Sequence, residues 1–115
     1  FAAENPDLVS GFLEAVAAGW QDVIDDPAAG AAMVAERNPA IDTDLEQRRL
    51  ELAIDANVLT DYVKANGMGG IEPERMAAAI EQIGETYAFE NDPTPELYFD
   101  DSFLPEGLFQ IDAAM

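Results

Sequence analysis

From Pro6 onward the apolar residues Val9, Phe12, Leu13, Val16, Trp20, Val23 and Ile24 recur at steps of three and four, the spacing that lines one helical face. A first helix is predicted over about 6–25. Five prolines follow an acidic residue or an Asn, at Asn5-Pro6, Asp26-Pro27, Asn38-Pro39, Glu72-Pro73 and Asp92-Pro93. Such pairs read as helix starts, because Asn and Asp cap well and Pro is tolerated at the first helical position. A second, Ala-rich helix over 27–37 carries Ala28, Ala31, Met33, Val34 and Ala35, small enough for close approach to the first across a tight turn. Asn38-Pro39 ends it.

Thr43-Asp44-Leu45-Glu46 matches a capping box, in which hydroxyl and carboxylate each satisfy a free backbone N–H. A third helix is expected over 43–62, with Leu45, Leu50, Leu52, Ile54, Ala56, Val58 and Leu59 as a broad stripe for burial. Asn66-Gly67-Met68-Gly69-Gly70 reads as a loop, since its glycines make helix costly. A fourth helix over 73–87 places Met76, Ile80, Ile83 and Tyr87 on one face. From Phe89 the period is lost. The expectation for 88–115 is an extended tail over the bundle, anchored by Leu97, Tyr98, Phe99, Phe103 and Leu104. With no strand run and no repeat, the fold class is all-α, a four-helix segment with an extended C-terminal tail.

The length of 115 residues suits a single domain, and 49% hydrophobic residues predict one core filled without staples. Charge narrows the partners. Against 24 acidic residues stand 5 basic ones, a net charge of -19, so nucleic acid, heparin and anionic lipid are poor partners: Coulomb repulsion has to be overcome before any contact forms. With no Cys and no His there are no disulfides, thiolate or imidazole metal sites, Cys nucleophiles or His bases. No cofactor, metal site or catalytic residue is expected, and no apolar run reaches the roughly 20 residues that span a bilayer. The acidic excess suits salty surroundings, where a short Debye length blunts self-repulsion. The chain opens on Phe1 rather than Met, which leads us to expect a processed chain or a piece of a longer one.

Each candidate site has a plainer reading. Gly67-Met68-Gly69-Gly70 invites a phosphate cradle, but no Lys-Ser/Thr follows it and no strand precedes it, so a helix connection is favoured. Asp25-Asp26, Asp42-Thr43-Asp44 and Asp100-Asp101 offer hard oxygens for calcium without the spacing of an EF-hand, and read as caps and solvated surface. Acid–base chemistry by paired carboxylates needs a cleft that separates two pKa values, which sequence does not display. Trp20 is assigned to core packing rather than ligand stacking. Arg37, Arg48, Arg49 and Arg75 are assigned to surface ion pairs rather than to a carboxylate or sulfonate clamp.

The order of elements carries a resemblance. Asn5-Pro6-Asp7-Leu8-Val9, Phe12-Leu13 with Ala15, Gly19-Trp20 and Asp26-Pro27-Ala28-Ala29 resemble a late helical segment of the periplasmic solute-binding proteins of ABC importers. The subgroup resembled is the nitrate, sulfonate, taurine and thiamine-pyrimidine-precursor type. Asn38-Pro39 before an acidic helix start is similar to that family's next helix. Gly67-Met68-Gly69-Gly70-Ile71-Glu72-Pro73-Glu74-Arg75-Met76 is similar to its Gly-rich turn before an acid-Pro-Glu-Arg helix. Pro95-Glu96-Leu97-Tyr98-Phe99-Asp100-Asp101-Ser102-Phe103-Leu104-Pro105 resembles its closing stretch.

The resemblance implies a non-enzymatic subunit with two α/β lobes that close on a small organic or anionic solute and deliver it to a membrane permease. It implies a periplasmic or extracytoplasmic location, with a lipid anchor as one form of the full-length protein. This chain corresponds to the C-terminal helical third. The family's ligand cleft lies upstream of Phe1, so the ligand-contacting residues are unknown and none is assigned here. An isolated segment of this kind is expected to expose apolar helix faces and self-associate. The alternative is an independent acidic helical interaction module with an apolar groove for a partner helix. A yeast-type thiamine-precursor synthase of the same fold family would be an enzyme, which the lack of His and Cys does not support.

Overall fold

The computed structural model describes residues 1–112. Helix α1 runs Pro6–Asp25 and α2 runs Pro27–Arg37, and one residue separates them. The Asp26 N–H closes α1 on the Asp22 carbonyl at 3.0 Å, while its carboxylate opens α2 by accepting the Ala29 N–H at 3.0 Å. Asn5 does not cap α1 with its side chain; its Nδ2 donates back to the Phe1 carbonyl at 2.9 Å. At the far end of α2, Arg37 donates to the Met33 carbonyl at 3.1 Å, placing a cation at the negative end of the helix dipole.

Helix α3 spans Thr43–Ala53, and α2 packs between α1 and α3. Gly30 makes this closeness possible: a Cβ there would lie 3.3 Å from side-chain atoms of both Val23 and Leu50. The cap of α3 is Asp42, whose carboxylate accepts the Leu45 N–H at 3.0 Å, so Thr43 is the first helical residue and the capping-box reading is corrected. The expected helix over 43–62 is corrected too. After Ala53 the chain widens into a π-helical turn, Ile54–Val58, closed by the Leu59 N–H on the Ile54 carbonyl at 2.7 Å. Leu59 then leaves helical geometry, and the Thr60 hydroxyl caps a new helix α4, Asp61–Asn66, by accepting the Val63 N–H.

Helix α5 spans Pro73–Thr86 and passes through Gly84 without a break. Asn38-Pro39 forms a turn, and Asp92-Pro93 starts no helix; the single turn α6, Pro95–Tyr98, begins after Thr94. The described part of the tail is therefore bent by short turns rather than extended, and residues 113–115 of that expectation lie outside the described residues. Its anchors differ as well: Leu97 is 71% exposed and Tyr98 60%, whereas Phe99, Phe103, Leu104, Leu108, Phe109 and Ile111 are half-buried. Among the described residues there is no strand, only one antiparallel bridge between Met68 and Phe109, so the chain is all-α.

The expected self-sufficient core is absent among the described residues. Among the described residues the buried apolar side chains are Ala17, Ala31 and Ile54, two of them alanines. Trp20 is half-buried, not core. The radius of gyration is 17.2 Å, against about 13 Å for a compact domain of this length. The accessible surface is 8637 Å², roughly 2,500 Å² more than a compact monomer of this mass exposes. The elements are ordered by local hydrogen bonds and pairwise packing, not by wrapping one centre.

Candidate functional site

The Gly-rich loop receives the tail. Gly67 has φ 99° and is buried; a Cβ on it would fall 2.7 Å from Gln110 Nε2 and 3.0 Å from the Phe109 carbonyl oxygen. A Cβ on Gly70 would strike Leu108 Cδ1 at 2.8 Å. Glycine is required at Gly67, where φ is positive and the Phe109 backbone lies against the loop, whereas the Leu108 side chain can yield at Gly70. The Met68 N–H donates to the Phe109 carbonyl at 2.7 Å, and the Phe109 N–H returns to the Met68 carbonyl at 3.0 Å. The Gln110 carboxamide donates to the Gly107 carbonyl at 2.7 Å, and Leu108 is held at φ 62° to fit the turn. With the Met68 N–H spent on Phe109 and the Gly67 N–H on Val63, this part of the loop is a seat for the tail.

From that seat the tail is tied to α1. The Ser10 hydroxyl donates to the Phe103 carbonyl at 3.1 Å, and Gln21 pairs with the backbone of Asp112. Residues 103–112 thus run beside α1 in the same direction and join its exposed flank to the loop after α4.

The acidic candidates disperse into structural roles. Asp26 and Asp42 are caps, Asp25 accepts from Gln21 Nε2 at 2.9 Å, and Asp100 accepts from Ser102. No three acidic residues gather as a metal-sized cluster among the described residues. Hydrogen bonds from the Ser102 hydroxyl and backbone N–H hold the Asp100 carboxyl below its ordinary range, against a small opposing effect of desolvation. A downward shift keeps the group ionised, the reverse of what a general acid needs. Of the arginines, Arg49 pairs with Glu46 at 2.6 Å on the exposed face of α3, as expected of a surface ion pair. Arg75 stands at a cleft of about 410 Å³ with Asn57, Thr60, Tyr62 and Glu72, between the π-helical turn and α5. Among the described residues no buried polar side chain is left unpaired to orient a ligand in it.

What the structure displays most strongly is uncovered apolar surface. Successive residues of α1 stand about 100° apart. From Leu8, Phe12 and Val16 through Val9, Trp20 and Leu13 to Ile24 and Ala17 its apolar residues therefore sweep about 180°, and Gly11, Ala15 and Ala18 widen the arc. Apart from Asp22, its polar residues occupy about a third of the circumference. Half of the arc faces α2 and the tail; Leu8, Phe12 and Val16 face solvent. So wide an apolar arc offers more surface than one neighbouring helix covers, yet no helix among the described residues is long and apolar enough to cross a membrane. Met33, Val34 and Leu52 on α2 and α3 are exposed as well. Between α5 and the tail, Met76, Ile80, Ile83, Phe89, Pro93 and Tyr98 line an open apolar groove of about 290 Å³. Sequence periodicity finds these residues but assigns them to a core.

No protein-family model, no curated protein and no solved structure matches the chain.

Proposed function

We propose that this chain is the C-terminal helical segment of an extracytoplasmic solute-binding subunit of an ABC importer. In that role it captures no ligand by itself. It braces two lobes that close on a small organic or anionic solute and present it to a membrane permease. The reading draws on the ordered motifs from Asn5 to Pro105, and one observation carries it furthest: the helices are well formed, with side-chain caps at the starts of α2, α3 and α4, while among the described residues much of their apolar surface stays exposed. An independent interaction module needs a core of its own, and among the described residues this chain buries two alanines and an isoleucine. The proposed role is non-enzymatic, and the solute contacts are assigned to the lobes rather than to any residue here.

The test is native mass spectrometry of the protein made from its natural reading frame, purified before proteases act. A mass well above 12.4 kDa, with a small organic or anionic solute carried along and released on denaturation, supports the proposal. A product at 12.4 kDa that buries its apolar faces against another protein overturns it in favour of an interaction module.

A further inference from the structure

We propose that the molecule is a hinge held shut by a clasp: α1–α3 form one body and α4–α6 another, the two turn on Leu59 and Thr60, and residues 103–112 open and close as a single unit that locks them.

The helices fall into two groups. α1 packs on α2, α2 on α3 and α3 on the π-helical turn, and separately α5 packs on α6, while no helix of the first group packs closely on α5 or α6. The cleft of about 410 Å³ lies where the groups face each other, with Asn57 of the π-helical turn on one wall and Arg75, Met76 and Ala79 of α5 on the other. Along the chain two residues join them. Leu59, at φ -87° and ψ 52°, and Thr60, at φ -67° and ψ 163°, belong to no helix. The torsions between them lie after the last bond of the π-helical turn, from the Leu59 N–H to Ile54, and before the first bond of α4, from the Lys64 N–H to the Thr60 carbonyl. Rotation there breaks no helical hydrogen bond, which is what a hinge at the end of an element requires.

The tail is the second link, and over residues 103–112 it crosses between the groups. Ser10 of α1 holds the Phe103 carbonyl, Leu104 and Leu108 stand against Gly69 and Gly70, Phe109 exchanges two backbone bonds with Met68, and Gln21 of α1 pairs with the backbone of Asp112. Turning the hinge with both ends tied would stretch these bonds, so the groups move when the clasp lets go. Its ties are neutral. All five basic residues lie between Arg37 and Arg75, so α1 and the tail bring only acids to their contact, and the ion pair among the described residues, Arg49 with Glu46, lies elsewhere. Exposed bonds closed against like charge belong to the low-stability end of a structure, where contiguous segments open together ahead of global unfolding.

Amide exchange of the 115-residue chain tests the single unit. Gln21→Ala removes a tie to α1 alone, yet it should speed exchange at Met68 and Phe109 by the same factor as at Asp112, roughly three- to tenfold. Acceleration confined to Asp112, or none at all, would overturn the proposal. Paired spin labels test the hinge, since the chain has no cysteine of its own. Labels at Glu36→Cys and Glu85→Cys, one on α2 and one on α5 and both exposed, should give one narrow distance distribution in the parent. Adding Gly67→Ala should broaden it with helicity unchanged by circular dichroism, while a Glu14→Cys and Glu36→Cys pair within the first group keeps its distance. A Glu36–Glu85 distribution unmoved by Gly67→Ala, or equal broadening of the Glu14–Glu36 pair, would equally overturn it.

Discussion

The carboxamide of Gln21 brackets the backbone of Asp112: its Nε2 donates to the Asp112 carbonyl at 3.0 Å and its Oε1 accepts the Asp112 N–H at 2.8 Å. A side chain on the last turns of α1 thus acts as one rung of a strand for the tail. Both bonds are exposed, so each contributes at the low end of the usual 0.5 to 1.5 kcal/mol, about 1 kcal/mol together. Gln21→Ala should speed amide exchange at Asp112 roughly three- to tenfold and leave the exchange of α2 unchanged. Equal protection in the variant would show that the tail is held by its other ties, at Phe103, Leu108 and Phe109.

Glycine substitutions should split by location. Gly67→Ala forces an L side chain to φ 99° and places its Cβ 3.0 Å from the Phe109 carbonyl oxygen, so it should unseat the tail and lower stability by about 1 to 3 kcal/mol. Gly84→Ala, with open space around it inside α5, should raise helix stability by about 0.5 to 1 kcal/mol. Urea titration followed by circular dichroism separates the two, and a Gly67 variant as stable as the parent would contradict the seat.

Acid should loosen the turn at Asp100. Its folded pKa lies below the ordinary 3.8, held down first by the Ser102 hydroxyl and then by the Ser102 N–H at 3.0 Å. A lowered folded pKa means that the stabilisation is present above the ordinary carboxylate range and is lost as pH falls through the folded value. Ser102→Ala leaves only the backbone bond, so the Asp100 midpoint in a carboxyl NMR titration should move up toward 3.8. An unmoved midpoint would contradict the hydroxyl's part.

Salt should stabilise the chain. With 24 acids against 5 bases, self-repulsion acts over a Debye length of about 10 Å at 0.1 M, shrinking to about 3 Å at 1 M. The melting temperature should rise across that range, and a flat response would mean that the charges already sit too far apart to matter.

The start of α1, the α1–α2 junction and the start of α5 were legible in the sequence because their signals are local: a proline at the first helical position, and an Asp26 that ends one helix and caps the next. The end of α3 was not. Thr60 caps α4 from within an apolar stretch whose helical spacing hides the break, and a π-helical turn has no sequence period of its own. The tail's anchors were misplaced for a different reason: Leu108 and Phe109 matter through contacts with Gly67, Met68 and Gly70, about forty positions away, and no local pattern encodes that pairing. The Gly cluster was recognised as special, but whether it receives an anion or a backbone depends on what the chain returns to it. The apolar residues were found by their spacing; that they face solvent follows from the number of helices available to cover them, which periodicity does not count.

Small-angle X-ray scattering of the 115-residue chain in low salt, extrapolated to zero concentration, tests the central claim that these helices are ordered without enclosing a core. The account predicts a radius of gyration near 17.2 Å with full helical circular dichroism. A value near 13 Å would show a compact, self-sufficient domain, and one near 34 Å an unfolded chain; either contradicts it.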